Sequence, residues 1–301
     1  MSLIAGPDAV LASAVPPEAA ALRDAARQAV GLTLCGPVGR LRAAEITPNP
    51  STDPAILAQV VALVRAAGLA PVCASTQPVG AAGVWAGLFT AWFGAAEAIV
   101  ASGTSPWAVD QALKQAGFLR GPFLSADIIG HDKLWLGLGK HALTAANSRL
   151  GAALCASGRL GRGAVRGVYA YRDGKPVPTQ DEEVAAILAD LRRSGGGPIP
   201  ESQIAPLVMD ALARAGAVLL AEGQARRAVE VDVLAVHGLG LARTTGGPMH
   251  WADQEAGTAG LLTLKRRLSK GAEIDPTIWA PVPLIDELIK NGQRFGDLND
   301  A

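Results

Sequence analysis

The stretch that most restricts what this chain can fold into is Gly238-Leu-Gly-Leu-Ala-Arg-Thr-Thr-Gly-Gly-Pro-Met-His-Trp-Ala-Asp253. Sixteen residues carry four glycines, a proline and a Trp-Ala-Asp, too rigid and too aromatic for a linker. Pro248 fixes φ and the glycines permit close backbone approach, so the stretch reads as a packed turn between two helices. A fainter copy lies upstream, Gly121-Pro-Phe-Leu-Ser-Ala-Asp127. In both copies an Ala-Asp follows Gly-Pro, with Asp five positions after Pro. Before each copy come a helix-like segment ending at Gly103 or Gly223 and then Asp110 or Asp232. Two such units predict an internally duplicated helical half.

The N-terminal part reads differently. Short apolar runs at Val10–Ser13, Leu32–Cys35, Ala43–Thr47 and Ala70–Ala74 suit buried strands. Segments Glu18–Val30 and Asp53–Ala67 between them suit helices, and this alternation argues for a small α/β layer. Beyond it, helices are expected over 80–101, with Trp85, Trp92 and Phe93, and over Pro106–Ala116, where Ser105 is placed to cap. Further helices are expected over His131–Leu154, Gln203–Ala221, Gln254–Lys270 and Pro283–Asn291. Arg172-Asp-Gly-Lys-Pro-Val-Pro178 reads as the best linker, and Ser194–Pro198 as another loop.

Balanced charge, 27 basic against 27 acidic residues, gives no electrostatic reason to expect nucleic acid or a charged membrane as partner. Cys35, Cys73 and Cys155 are too widely spaced for a metal site or a disulfide framework, so a reducing cytoplasm is the expected location and no metal is expected. No run of about eighteen apolar residues is evident, and no membrane span is expected.

The residues from Ile204 through Leu219-Leu-Ala-Glu-Gly223, Val231-Asp-Val233, Gly238-Leu-Gly and Gly247-Pro-Met-His-Trp-Ala-Asp resemble the C-terminal domain of the 3-hydroxyacyl-CoA dehydrogenases. So do Trp279-Ala-Pro-Val-Pro-Leu284, Gly292 and Phe295. Glu97-Ala98, Gly103, Asp110, Gly117-Phe118, Gly121-Pro-Phe and Asp127 resemble the first C-terminal domain of the same family. The resemblance covers roughly residues 9 to 297. It implies an α/β remnant of a Rossmann-like domain over 1–76, the back half of a dinucleotide-binding domain. Two mostly α, duplicated C-terminal domains would follow, over 77–174 and 181–301. Its function would lie in fatty-acid and acyl-CoA degradation.

The chemistry of that family needs a glycine-rich turn for the NAD pyrophosphate and a His general base. No Gly-x-Gly-x-x-Gly follows a strand near the N-terminus. Gly238-x-Gly240 and the Gly158–Gly167 cluster lie in the helical half and read as packed turns. The resemblance places the family's His at Thr33 and its neighbouring Asn at Gly36, when Pro37 is aligned. Glu45 matches the glutamate that orients the His, and with nothing to orient reads as a strand-end carboxylate. In the Pro-Gly-Phe-x-x-Asn-Arg segment, aligned on Pro78, Gly83 and Val84 replace Asn and Arg. Arg159, Arg162 and Arg166 read either as contacts for a CoA phosphate or as a solvated turn. His131, His141, His237 and His250 read as core or solvated histidines before ligands. The expectation is a degenerate relative that binds no NAD and does not oxidise alone, with acyl-CoA as a possible ligand and a homodimer or hetero-complex as its assembly. Three alternatives stay open: a non-catalytic acyl-CoA-binding or scaffolding protein, a fragment of a longer NAD-dependent dehydrogenase, and new chemistry using Glu45 with a relocated histidine.

Overall fold

The computed structural model describes residues 11–13, 29–35, 42–48, 52–74, 83–137, 148–177, 181–192 and 197–300. Most of the expected first helix, residues Pro37 and Pro78, and His141 lie outside them.

The α/β layer holds β1 (Leu11–Ser13), β2 (Ala29–Cys35), β3 (Ala43–Pro48), α1 (Pro54–Ala66) and β4 (Ala70–Cys73). Strand order is β1-β2-β3-β4. β2 runs parallel to β1 and antiparallel to β3, and β4 runs parallel to β3. Val30, at the end of the expected helix, is instead the second residue of β2. Alternation along β3 divides the two faces of the sheet. Ala44 and Ile46 pack with Val30 and with Val60 and Val64 of α1, while Cys35, Ala43 and Val72 join the core of the helical half. Glu45, between Ala44 and Ile46, therefore faces the helices. α1 begins where it does because Asp53 accepts from the Ala55 amide at 2.8 Å and Pro54 occupies the first turn.

The helical half runs α2 (Val84–Ala101), α3 (Pro106–Gln115), α4 (Pro122–Ile129), α5 (His131–Gly137), α6 (Arg149–Ala156), β5 (Ala170–Arg172), β6 (Lys175–Val177), α7 (Glu182–Leu191), α8 (Glu201–Ala221), α9 (Ala228–Leu234), α10 (Pro248–Ala252), α11 (Ala259–Ile274), α12 (Pro276–Trp279) and α13 (Pro283–Asn291). A π-helical turn, Ala235–Leu239, continues α9. The stretch 172–178, expected as a linker, is a hairpin over residues 170–177. Its Asp173-Gly174 turn has φ of 51° and 72°, the left-handed pair that a two-residue hairpin loop requires. The Gly238–Asp253 stretch is a turn that contains a helix of its own, α10. Helix α11 starts at Ala259, five residues later than expected.

Two helices, α2 and α8, are long and apolar enough to cross a membrane by length and composition, contrary to the expectation from the sequence. Their apolar faces are turned inward: the most hydrophobic window of α2 is 78% buried and that of α8 is 61% buried. They pack against each other, with α8 central to the second unit. An all-round apolar helix in this position is a core helix.

The duplication is visible bond by bond. Asp110 on α3 accepts from the Phe123 and Leu124 amides at the start of α4, at 3.2 and 2.8 Å. Asp232 on α9 accepts from Met249 and His250 at the start of α10, at 2.7 and 3.2 Å. The glycines before the two prolines make this approach possible. A Cβ on Gly121 would lie 1.9 Å from Asp110 Oδ1, and one on Gly247 would lie 2.3 Å from Asp232 Oδ1. The second aspartates match as well. Asp127 accepts from the Val168 and Tyr169 amides, and Asp253 from those of Phe295 and Gly296. Each unit thus caps one short helix and ties down the segment that closes it.

Candidate functional site

Strand register puts Thr33 directly opposite Glu45 across the β2–β3 ladder. The two positions that the resemblance assigns to a base and its orienting carboxylate are therefore neighbours. Thr33 is exposed, and its carbonyl accepts from the Cys35 thiol at 3.6 Å. Glu45 is 1% exposed and reaches toward the helices. Its Oε1 accepts from the Val84 amide at 2.7 Å and its Oε2 from the Trp85 amide at 3.1 Å. Glu45 thus caps α2, whose N-terminus carries unpaired amides and the positive end of the helix dipole. Burial pushes the Glu45 carboxyl above the usual range, against the lowering effect of those two amides. Burial, followed by the Glu45 charge, also raises the Cys35 thiol.

Gly83 is what lets Glu45 reach. A Cβ at position 83 would fall 2.3 Å from Glu45 Oε1 and 2.5 Å from its carboxyl carbon. No asparagine fits there while the carboxylate caps α2. The substitutions at positions 33 and 83 and the cap at 45 are mutually consistent, with the acid bound to backbone in place of an imidazole.

The three arginines are not brought to one surface. Arg159 is 1% exposed and its guanidinium is engaged inside the fold. Its Nε donates to the Gly167 carbonyl, and its Nη1 donates to Asp181 at 3.0 Å and to Glu183 at 2.9 Å. Burial and two carboxylates set Arg159 apart from a solvated turn, while its buried Nη2 has no partner among the described residues. Arg162 and Arg166 are exposed on the loop, and Arg166 reaches Glu183 at 3.5 Å. His131 is buried with Nε2 at 2.8 Å from Asp127. His250 is exposed, and His237 sits half-buried in the π-helical turn.

Gly238 and Gly161, in the glycine turns of the helical half, are closed to a dinucleotide. At Gly238 the space a Cβ would take is already approached by Trp85 Cδ1 at 2.7 Å and Cys35 Cβ at 3.1 Å. At Gly161 it is closed by the Asp127 carbonyl at 2.4 Å. At these two glycines the backbone is packed too tightly against protein for a pyrophosphate to approach.

One feature that sequence patterns do not signal is a cleft of about 600 Å³ between α2 and α8. Gly83, Gly87, Ala91 and Gly94 line its α2 wall, and Arg214 and Leu219 its α8 wall. Arg214 Nε donates to the Ala280 carbonyl at 3.0 Å, and burial lowers its pKa. Within the same cleft, Glu97 gives Oε1 to the Leu150 amide, while its buried Oε2 has no partner among the described residues. A small-residue floor with charged groups at its sides suits an amphipathic ligand.

A small sheet with parallel crossovers, followed by paired helical units each pinned by two aspartates, is the architecture of a Rossmann-like remnant joined to helical C-terminal units. The profile described as the 3-hydroxyacyl-CoA dehydrogenase, C-terminal domain, matches residues 84–171. The chain is 26% identical over 284 residues to the human peroxisomal bifunctional enzyme, covering 87% of this chain and 38% of that protein. It is 26% identical over 278 residues to the fatty acid oxidation complex subunit alpha of Vibrio vulnificus, covering 89% of this chain and 37% of that one. The chain thus spans well under half the length of these relatives. Among solved structures it is similar to the dehydrogenase part of multifunctional enzyme 1 from C. elegans, with a TM-score of 0.66, 18% identity, and coverage of 94% of this chain and 66% of that one. It also matches 3-hydroxybutyryl-CoA dehydrogenase from Escherichia coli K12, with a TM-score of 0.62, 17% identity, and coverage of 88% and 71%. These similarities support the 3-hydroxyacyl-CoA dehydrogenase family, whose C-terminal domain is matched directly over residues 84–171.

Proposed function

We propose that this chain is a member of the family that binds acyl-CoA esters without oxidising them on its own. The observation that carries the reading is the Glu45 cap. Hydroxyl oxidation needs a base within hydrogen-bond reach of the substrate proton. The threonine hydroxyl at position 33 has no activating base among the described residues. The one carboxylate beside it is dry and holds two backbone amides, and Gly83 offers no side chain to hold a substrate. Resemblance to relatives named for fatty-acid oxidation, together with the cleft between α2 and α8, supports an acyl-CoA ligand.

The test pairs binding with turnover. Calorimetry with 3-hydroxybutyryl-CoA is expected to give a saturable affinity, and calorimetry with NAD none. A Thr33→His variant is expected to remain inactive, because the acid needed to orient the new imidazole is occupied and the groups act as a unit. A micromolar NAD affinity, or ordinary oxidation by the variant, would sink the reading.

A second reading concerns assembly. β1 and β4 are the edges of the four-stranded sheet, and Leu34 and Leu63 stand 40% and 63% exposed in the same layer. Strand edges that no described strand pairs, beside exposed leucines, favour pairing with another chain. A homodimer or hetero-complex is therefore proposed. The apolar character of α2 does not support it, since α2 is covered within the chain. Light scattering at micromolar protein tests it, and a clean 30.7 kDa species would count against self-association.

A further inference from the structure

The α/β layer and both helical units meet at one point, and a cavity of about 360 Å³ opens there. Arg42 comes from the start of β3, Gly117 and Leu119 from the first unit, and His237, Gly240 and Arg243 from the second. Its walls are tied across the three parts. The Arg42 amide donates to the His237 carbonyl at 3.0 Å, and the Leu119 amide to the Gly240 carbonyl at 2.7 Å. Beneath them the Trp85 indole N–H donates to the Gly238 carbonyl at 3.2 Å. The Arg42 carbonyl is also held, by the Ala70 amide at 2.8 Å. The third wall is the π-helical turn, an uncommon element that places His237 beside the opening; such turns recur at functional sites.

The charge in this cavity is of one sign. Two guanidinium groups and an imidazole line it, and among the described residues no Asp or Glu does. Neither Arg42 nor Arg243 forms an ion pair among the described residues, although the molecule pairs Arg159, Arg227 and Arg267 with carboxylates elsewhere. Burial, then the Arg243 charge and the Arg42 charge, push the His237 imidazole below its ordinary value. A half-buried imidazole between two cations, with no acid to compensate, is the electrostatic counterpart of a missing anion. Guanidinium forks match tetrahedral oxyanions, and an imidazole N–H adds a further donor.

We propose that the Arg42–His237–Arg243 cavity binds a phosphate group, either free or carried by the nucleotide part of coenzyme A. The site stands on its own geometry; only the coenzyme source rests on the acyl-CoA reading. Binding there would clamp the sheet to both helical units, since one anion would bridge side chains from β3 and from the turn after α9.

The experiment follows the His237 ring resonances by NMR in the full chain while inorganic phosphate is added at constant ionic strength, with chloride as control. A saturable shift specific to His237 is expected with phosphate and not with chloride. Arg42→Ser and Arg243→Ser are each expected to weaken the midpoint by about tenfold or more. Both side chains are exposed, so thermal unfolding of these variants should match the parent. A linear shift equal to that in chloride, or midpoints unchanged in both variants, would overturn the proposal. A second arm adds coenzyme A or 3′-dephospho-coenzyme A to the phosphate-loaded protein. Displacement by coenzyme A alone assigns the 3′-phosphate, and displacement by both assigns the pyrophosphate. No displacement by either assigns free phosphate, leaving the site standing while removing it from the acyl-CoA reading.

Discussion

The two helical units hold their short helices with the same pair of aspartates, yet one copy is dry and the other is wet. In the first, Asp127 is fully buried and gathers four partners: the Val168 and Tyr169 amides, the Tyr171 hydroxyl at 2.9 Å and His131. Asp110 takes a third bond there, from the Tyr169 hydroxyl at 2.9 Å. In the second unit, among the described residues, Asp253 is half-buried and holds the Phe295 and Gly296 amides alone, and Asp232 holds those of Met249 and His250 alone. That unit gains its cohesion elsewhere. Arg267 bonds Asp210 at 2.9 and 3.1 Å while its guanidinium lies 4.4 Å over the Trp251 ring. One backbone solution has thus been supported by an enclosed tyrosine–aspartate network in one place and by a partly exposed cation in the other. A low-dielectric network strengthens each bond and raises the cost of losing any partner.

The largest expected effect breaks that contrast directly. Asp127→Ala strands two buried amides and a buried hydroxyl, and is expected to cost on the order of 4 kcal/mol or more. Asp253→Ala, at a half-exposed site, is expected to cost about 1–2 kcal/mol. Urea unfolding of both variants checks the difference, and equal losses would mean that the hydroxyl and imidazole partners contribute nothing.

Titration sharpens the comparison. Burial pushes Asp110 and Asp232 each up to about 7, in both cases against the hydrogen bonds they accept. Between about pH 4 and pH 7 the unfolded chain releases protons that the folded chain keeps. These groups therefore contribute stability that is present at low pH and is lost as pH rises through about 7. The slope per group is at most about 1.4 kcal/mol per pH unit. Urea midpoints are expected to fall between pH 4.5 and 7.5, and less steeply in Asp232→Asn. An unchanged slope in that variant would show that Asp232 does not titrate in this window.

The smallest effect isolates the hydroxyl the second copy lacks. Tyr169→Phe removes the bond to Asp110 but keeps the ring, which packs edge-on to Trp107 at 5.7 Å between centroids. A loss of about 1 kcal/mol is expected by thermal or urea unfolding, with the backbone capping of α4 intact.

The duplication was legible because its chemistry is local in sequence. Asp, Gly-Pro and Ala-Asp recur at fixed offsets, and the glycines are required where a Cβ would strike the aspartate. The role of Glu45 was not legible, because its partners Val84 and Trp85 lie 39 and 40 residues away and are backbone amides, which leave no side-chain signature. Gly83 read as a missing asparagine; only the structure shows that its empty Cβ position is filled by the Glu45 carboxylate. Arg159 looked like one of a basic trio because the acids that bury it, Asp181 and Glu183, come 22 and 24 residues later. The hairpin at 170–177 carried its signal openly in Asp173-Gly174, a pair that also marks flexible connections. Its flanking strands, three residues each, are too short to show alternation.

The Trp85–Gly238 hydrogen bond joins residues 153 positions apart, and this has a consequence for the birth of the molecule. During synthesis at ~5–20 residues per second, roughly 8 to 30 s pass between the two ends of that bond leaving the ribosome. Throughout that interval the sheet and the first helices lack the element that closes over Cys35 and Trp85. Closing so distant a pair carries the entropic cost of a long loop and slows folding. The nascent chain thus carries an open apolar seam until its second unit emerges, and that seam is where a chaperone would be needed.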